Sequence, residues 1–486
     1  MSGRSSDKRR GRRGIVVIML SLMVSVVMLP LVGLAIDGSI LYLVQAKLSA
    51  AVDAASLAAA RSLSVGLDIT SQTASATATA QSFFIANFPT GYWNTSNLSL
   101  STTVAQTAYK TRTVTMVASV TVPLTFMRLL GQTGSTVVAQ GQTSRRDVVM
   151  IVVIDRSSSI ADAGVCGTMI AAAQNFISYF ANGQDMIGLV TFMDGYNLTY
   201  APTLTFGSNV PSLTTVLGGV QCFGDTGTAG ALNQAYTQLQ AVNLPGALNL
   251  IVFFTDGHPN GIAANFPVKT QVDTRYDYQN FSALVSTPKS TCNTTTTLQG
   301  EIAEWSGEPA PSTGATEGLF GVTSSSGSTT SEQVAAGLTG CAMSSNQLAM
   351  RRDIAYIPAK DLYGNITTGY QAFAGGDLYP SGNPYVGQIR VDTPTAVLTA
   401  SLNAADNQAT TILNDPNLIP VIYSIGLGGT VAEPIDATFM ERIANDPRST
   451  IYNAALPAGE YVYSPTATDL VGAFQQVASE ILRISQ

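Results

Sequence analysis

Apolar positions change their period twice along this chain. From Ile15 to Ile36 the sequence runs 22 residues without a charge, long enough for a helix to cross a bilayer core of about 30 Å. Pro30 and Gly33 are tolerated in such a helix. The next stretch, DGSILYLVQAKLSAAVDAASLAAARSL, has no Gly or Pro after Gly38, and its Ala and Leu content predicts that the helix continues outward as an amphipathic stalk. Residues 70–87 keep a helical pattern. Between 97 and 144 apolar and polar residues alternate, with many Val and Thr, which predicts half-exposed strands. A single transmembrane helix (15–36), after a basic tail (1–14), thus leads into a small α+β unit (37–145).

From residue 147 the pattern becomes α/β. The apolar run 147–154 precedes a helix-like TMIAAAQNFISYFA, the strand DMIGLVTFM, the helix GALNQAYTQLQAV and a second apolar strand, ALNLIVFFTDG. A helix (395–414), the strand IPVIYSIGLGG, a helix near 436–445, the strand EYVYS and a helix over 466–484 follow. Apolar strands alternating with helices predict a doubly wound, mostly parallel sheet over 146–486. The alternation breaks over 261–393, where TCNTTTTLQG and TSSSGSTTSEQ read as a low-complexity insertion.

Charge adds direction. The first 13 residues carry six basic groups and one acid, a net +5, against −7 for the whole chain. A basic flank before the apolar run predicts a cytoplasmic N-terminus, with everything after Asp37 exported. The run exceeds the roughly 7–15 apolar residues of a cleaved signal peptide. Only 11% of residues are charged, well below the roughly 25% usual in soluble domains, which fits an extracytoplasmic chain. An acidic body gives no support for nucleic-acid binding.

The chemistry gathers at the ends of the apolar strands. DVVMIVVIDRSSS hands over from strand to Asp155, Ser157 and Ser159; CFGDTGTAGAL brings Thr226 before a helix; IVFFTDGHPN ends at Asp256. Ligands of doubly wound sheets bind at these carboxyl ends. Two carboxylates and three hydroxyls form an all-oxygen set that suits a hard divalent cation, Mg²⁺ first, with Ca²⁺ and Mn²⁺ as alternatives. Taken singly, a serine after a strand reads as a helix cap. Thr228 rivals Thr226, and Asp225 reads as a solvated loop acid. His258, the one histidine, reads as an exposed loop residue. It alone could serve as the base of a serine hydrolase, and there is no Gly-x-Ser-x-Gly turn and no phosphate-binding Gly-rich loop. A binding protein is therefore expected, with a metal-dependent hydrolase as the competing class.

Two resemblances sharpen this. The basic tail, the apolar run, Asp37 and the run Leu48, Ala51, Asp53, Ala54, Ala55 and Leu57–Ala60, with VTVPLTFMRLLG later, resemble the TadE/TadG-like proteins of tight-adherence (Tad, Flp) pilus assembly. The pilin processing signal, Gly followed five residues later by Glu, is absent, since Gly14 leads to Met19. Asp155-x-Ser157-x-Ser159, then Thr226, then Asp256-Gly257 resemble the metal-ion-dependent adhesion site of von Willebrand factor A domains. The resemblances imply a single-pass bacterial membrane protein of pilus assembly, anchoring or adhesion. Its metal would bridge to a carboxylate on a protein partner, a pilus or envelope component; a free-standing adhesin is the alternative. Four cysteines, all on the exported side, favour two disulfides. Cys166–Cys222 is preferred because both would flank the metal face, and Cys292–Cys341 because both lie in the insertion.

Overall fold

The computed structural model describes residues 7–63, 69–108, 111–245, 247–276, 284–287, 296–305, 315–323, 353–428 and 435–485. The chain divides into two compact units, Met1–Arg145 with Gln486, and Arg146–Ser485.

In the first unit, helix α1 (Asp7–Met23) passes through a π-helical turn (Val24–Met28) into α2 (Leu29–Ser62). Among the described residues this continuous helix, over Ile15–Ser62, is the one long and apolar enough to cross a membrane. Beyond Asp37 it buries Val44, Leu48, Ala51, Val52, Ala55 and Ala59, a stripe with the three-to-four-residue spacing of one helix face. That stripe meets Ala76, Ala80 and Phe84 of α3 (Ile69–Asn87). It also packs on an antiparallel sheet of β1 (Ser96–Ala108), β2 (Thr111–Pro123) and β3 (Gly134–Arg146), in the order β1-β2-β3. Alternate residues of β2, from Val114 to Val122, point into this core, as the two-residue period requires.

The second unit is a six-stranded sheet covered on both faces. Its strands are β4 (Val148–Asp155), β5 (Met186–Phe192), β6 (Tyr196–Thr203), β7 (Leu248–Thr255), β13 (Val421–Leu427) and β14 (Tyr461–Ser464). Their order is β14-β13-β7-β4-β5-β6, with every neighbouring pair parallel except β5 with β6. The antiparallel edge strand β6 has no clear apolar pattern, since all its residues are half-buried or exposed, and the sequence pattern did not announce it. Central strands are buried throughout. In β4, Val149, Ile151 and Val153 face one core while Val148, Met150, Val152 and Ile154 face the other. Burial on both faces is why the run reads as continuous rather than alternating.

Short α4 (Ser158–Asp162) follows β4, and α5 (Cys166–Ile177) packs on one face of the sheet; α6 (Leu213–Leu217) lies beyond β6. Helix α7 (Thr228–Val242) packs on the opposite face. The insertion departs from the low-complexity expectation. Strands β8 (Gly261–Pro267), β11 (Thr297–Trp305) and β12 (Ala315–Phe320) form their own antiparallel sheet in the order β12-β11-β8, and β9 (Asp273–Tyr276) pairs with β10 (Leu284–Thr287). Ile262, Phe266, Leu298, Ile302 and Leu319 extend the core on the α7 side, so apolar burial holds this part of the insertion in place. Residues 353–393 add bridges, Val268 with Ile354 and Ile357 with Ile389. TSSSGSTTSEQ beyond Thr323, and both Cys292 and Cys341, lie outside the described residues. Helices α8 (Pro394–Leu413) and α9 (Ala437–Ile443) complete the α7 face, and α10 (Leu470–Ile484) joins α5 on the other.

Candidate metal centre

Strands β4 and β7 run parallel and adjacent, with Ile154 beside Phe254. Their final residues, Asp155 and Thr255, therefore leave the sheet side by side, and Asp256 follows at once. Asp155 is fully buried. Its Oδ1 accepts the Ser157 N–H at 2.9 Å, and its Oδ2 accepts the Thr255 hydroxyl at 2.5 Å. The Ser157 and Ser159 hydroxyls lie 3.0 Å apart, and Ser159 Oγ donates to Asp256 Oδ1 at 2.9 Å. A continuous chain of oxygens thus runs from Ser157 through Ser159 to Asp256, next to Asp155. Ser157 stands at the N-cap position of α4, yet its side chain makes no capping bond. The helix-cap reading fails for this serine.

Thr226 reaches the same end of the sheet from another loop, and backbone bonds tie that loop to the serine loop. Phe223 N–H donates to the Arg156 carbonyl at 2.6 Å, Ser158 N–H to the Gly224 carbonyl at 2.7 Å, and Gly224 N–H to Ser158 Oγ at 2.8 Å. Asn260, four residues after Asp256, holds Thr226 from the other side. Its Oδ1 accepts the Thr226 N–H at 2.7 Å, and its own N–H donates to the Thr226 carbonyl at 3.1 Å. A disulfide joins Cys166, at the start of α5, to Cys222, four residues before Thr226, with Cα atoms 6.2 Å apart. Gly227 must be glycine: a Cβ there would come within 2.2 Å of Glu301 Oε1 and 2.7 Å of the Asp194 carbonyl oxygen. Thr228, the rival to Thr226, is buried as the first residue of α7.

Burial pushes the Asp155 carboxyl up to about 6; the Thr255 hydroxyl, the N–H and hydroxyl of Ser157 and the nearby Arg156 guanidinium pull the other way. Arg156 is itself buried, with its guanidinium 4.6 Å from the Phe223 ring centroid and its Nη1 donating to the Gln221 carbonyl at 3.1 Å. Burial lowers its pKa to about 10, with Asp194 and then Asp155 opposing that shift. Among the described residues no cluster of three or more His, Cys, Asp or Glu side chains is gathered as a metal site. The donors here are instead mostly hydroxyls. A buried carboxylate beside hydroxyls that can turn their lone pairs inward fits a small, hard cation, which takes oxygen ligands of either kind.

His258 is half-buried rather than exposed, with Nε2 4.0 Å from an Asp436 carboxylate oxygen. The Ser157 and Ser159 hydroxyls bond to each other and to Asp256, and Ser158 Oγ accepts from the Gly224 N–H, so none of the three serines is paired with His258. Three residues that shape the site escaped the sequence reading: Thr255, Asn260 and Asp194, whose Oδ1 accepts the Asp225 N–H at 2.7 Å. A polar residue closing the apolar run Leu250–Phe254 was the signal for Thr255. Asn260 carried none, because its role depends on a loop 34 positions away in sequence.

Residues 150–258 match the model of the von Willebrand factor type A domain, and residues 14–62 match that of the Flp pilus-assembly TadE/G-like family. The chain carries a TadE/G-like N-terminal segment and a von Willebrand A domain. No curated protein matches the sequence. Among solved structures, the pilus adhesin SpaC from Lactobacillus rhamnosus GG is 12% identical over 80% of this chain and 34% of its own length, with a TM-score of 0.35. The chain thus spans about a third of that adhesin. The von Willebrand domain of the type V pili tip protein Mfa5 from Porphyromonas gingivalis is 16% identical over 70% of this chain and 97% of its own, with a TM-score of 0.35. The PilB minor pilin from Streptococcus sanguinis is 12% identical over 81% and 79%, with a TM-score of 0.35. Scores of this size carry no argument about the site.

Proposed function

We propose that this chain is a membrane-anchored binding protein of a pilus-assembly or adhesion system, whose von Willebrand A domain captures its partner through a divalent cation. The observation that carries this reading is the hydrogen-bonded run Ser157–Ser159–Asp256 beside buried Asp155. Asp155, Ser157, Ser159, Thr226 and Asp256 would hold the ion, Mg²⁺ being the best fit to short hydroxyl ligands. Bound there, the ion supplies a Lewis-acidic position for a carboxylate presented by the partner. The chain's own residues do the rest. Thr255 and the Ser157 N–H fix the Asp155 carboxylate, Asn260 fixes the Thr226 loop, and the Cys166–Cys222 disulfide links the two hydroxyl-bearing loops.

Anchoring rests on the exposed face of the N-terminal helix. Between Ile15 and Ile36 side chains such as Met19 and Leu22 stand 70% and 64% exposed, an apolar surface that water does not tolerate at this size. The basic tail orients the N-terminus to the cytoplasm, and the disulfide fits an oxidising exterior. The TadE/G-like segment points to pilus or envelope components as partners. Retrieved from its native membrane in Mg²⁺, the full chain is expected to bring such components with it and to release them on chelation, while Asp155→Ala retrieves none. Mg²⁺-dependent turnover of p-nitrophenyl esters or p-nitrophenyl phosphate by the purified chain would contradict the binding reading and establish a hydrolase.

A further inference from the structure

The first unit holds a second apolar surface, and it is fixed to the membrane helix at a defined depth. Asp37 is the first charged residue after the apolar run, yet it is 1% exposed. Its carboxylate accepts three consecutive backbone N–H groups, from Thr125 at 3.0 Å, Phe126 at 2.9 Å and Met127 at 2.8 Å. One helical turn earlier, Gly33 receives the Phe126 side chain so closely that a Cβ there would lie 2.5 Å from the ring. The segment after β2 is therefore clamped to α2 at two points. Gly33 lies three residues inside Ile36, the end of the uncharged run, or about 4.5 Å deeper along the helix.

From this clamp the chain turns through a short 3₁₀ segment, Met127–Leu130, closed by Gly131 at φ 88°. At its tip Leu129 and Leu130 are 86% and 71% exposed, and Phe126 is 37% exposed. Single exposed leucines are common on water-facing surfaces. Here two adjacent ones, nearly bare, are held at the level where the apolar run ends. Exposed Arg128 stands between Met127 and this pair, where a guanidinium reaches lipid phosphate while its stem stays among acyl chains.

We infer that residues 126–130 dip into the outer face of the phospholipid bilayer beside the membrane helix, giving the unit a second lipid contact that fixes how α2 leaves the membrane. The inference rests on the anchoring proposed above. The partner is lipid rather than protein because the segment packs against a helix whose neighbouring side chains Leu31, Val32 and Leu34 are exposed, and because the Gly33–Phe126 contact, about 4.5 Å inside the end of the apolar run, lies close to the roughly 5–10 Å to which an interfacial segment buries its apolar side.

The test places the photo-crosslinker p-benzoylphenylalanine at Leu129 or Leu130 of the full chain, in nanodiscs of phosphatidylethanolamine and phosphatidylglycerol. Intact-protein mass spectrometry then reads adducts after irradiation. Leu20, inside the apolar run and 62% exposed, is the lipid reference. Leu57, exposed on α2 and about 30 Å beyond Asp37 along the helix, is the water reference. Leu129 and Leu130 are expected to gain the mass of one phospholipid with a yield near that of Leu20. Yields at the Leu57 level while Leu20 labels, or cross-links to a second protein chain, would overturn the inference. Failure at Leu20 itself would instead sink the spanning helix.

Discussion

The decisive detail at the residue scale is what each oxygen of the strand-end cluster does with its lone pairs. Asp-x-Ser-x-Ser is a weak pattern alone, because serines after a strand commonly cap the next helix. Here the Ser157 hydroxyl turns to Ser159 instead, and Ser159 turns to Asp256. The positions of Asp155 and Asp256 were legible because a charged residue ending an apolar run must sit at a strand end. Thr255 was harder to see, since nothing in its own segment shows that its neighbour across the sheet is a buried carboxylate. Its hydroxyl gives Asp155 one of two short hydrogen bonds. Thr255→Val keeps the shape and removes that donor. The loss should cost about 1.5–3 kcal/mol of stability, the usual worth of a hydrogen bond to a charged group, read as a lower calorimetric unfolding midpoint at pH 7.5. Thr255→Ser should stay close to wild type. Equal midpoints for all three would show that the hydroxyl is dispensable to Asp155.

At the scale of elements, the central strands and the helices beside them were plain from their periods, because burial on both faces keeps β4 apolar up to Asp155 and β7 apolar over Leu250–Phe254. The edge strand β6 and the insertion's sheet were not. An edge strand is half-exposed and carries little pattern, and β8, β11 and β12 pair across segments too far apart for local sequence to predict. The insertion also brings a carboxyl to the site's flank. Glu301 of β11 is buried beside Gly227, and burial, with Asp194 adding to it, holds its pKa well above the ordinary carboxylic value. An acid whose pKa is raised by folding binds its proton more tightly in the folded state. The resulting stability is full below the unfolded pKa and is lost as pH rises through the folded value. The wild-type unfolding midpoint is therefore expected to fall relative to that of Glu301→Gln as pH increases from about 5, since the amide cannot ionise. Scanning calorimetry of both full chains in nanodiscs across pH checks this, and parallel curves would show that Glu301 is ionised throughout.

At the scale of the whole molecule, two modules share one chain. One is a TadE/G-like segment with a long apolar helix, and the other is a von Willebrand A domain with oxygen donors at the carboxyl ends of its strands. Low charge, the basic tail and the paired cysteines fit the proposed placement of the second unit outside the cytoplasm. The proposed partner is not written in the sequence, because recognition through a metal-bridged carboxylate would need one acidic group and a matching surface rather than a motif. The central claim is that Asp155, Ser157, Ser159, Thr226 and Asp256 bind one divalent cation. Titration calorimetry of Mg²⁺ into the full chain, wild type against Asp155→Ala and Ser159→Ala, tests it most directly. One site is predicted in the wild type, lost in Asp155→Ala and weakened in Ser159→Ala. Identical Mg²⁺ isotherms for all three chains, or no binding by the wild type, would contradict it.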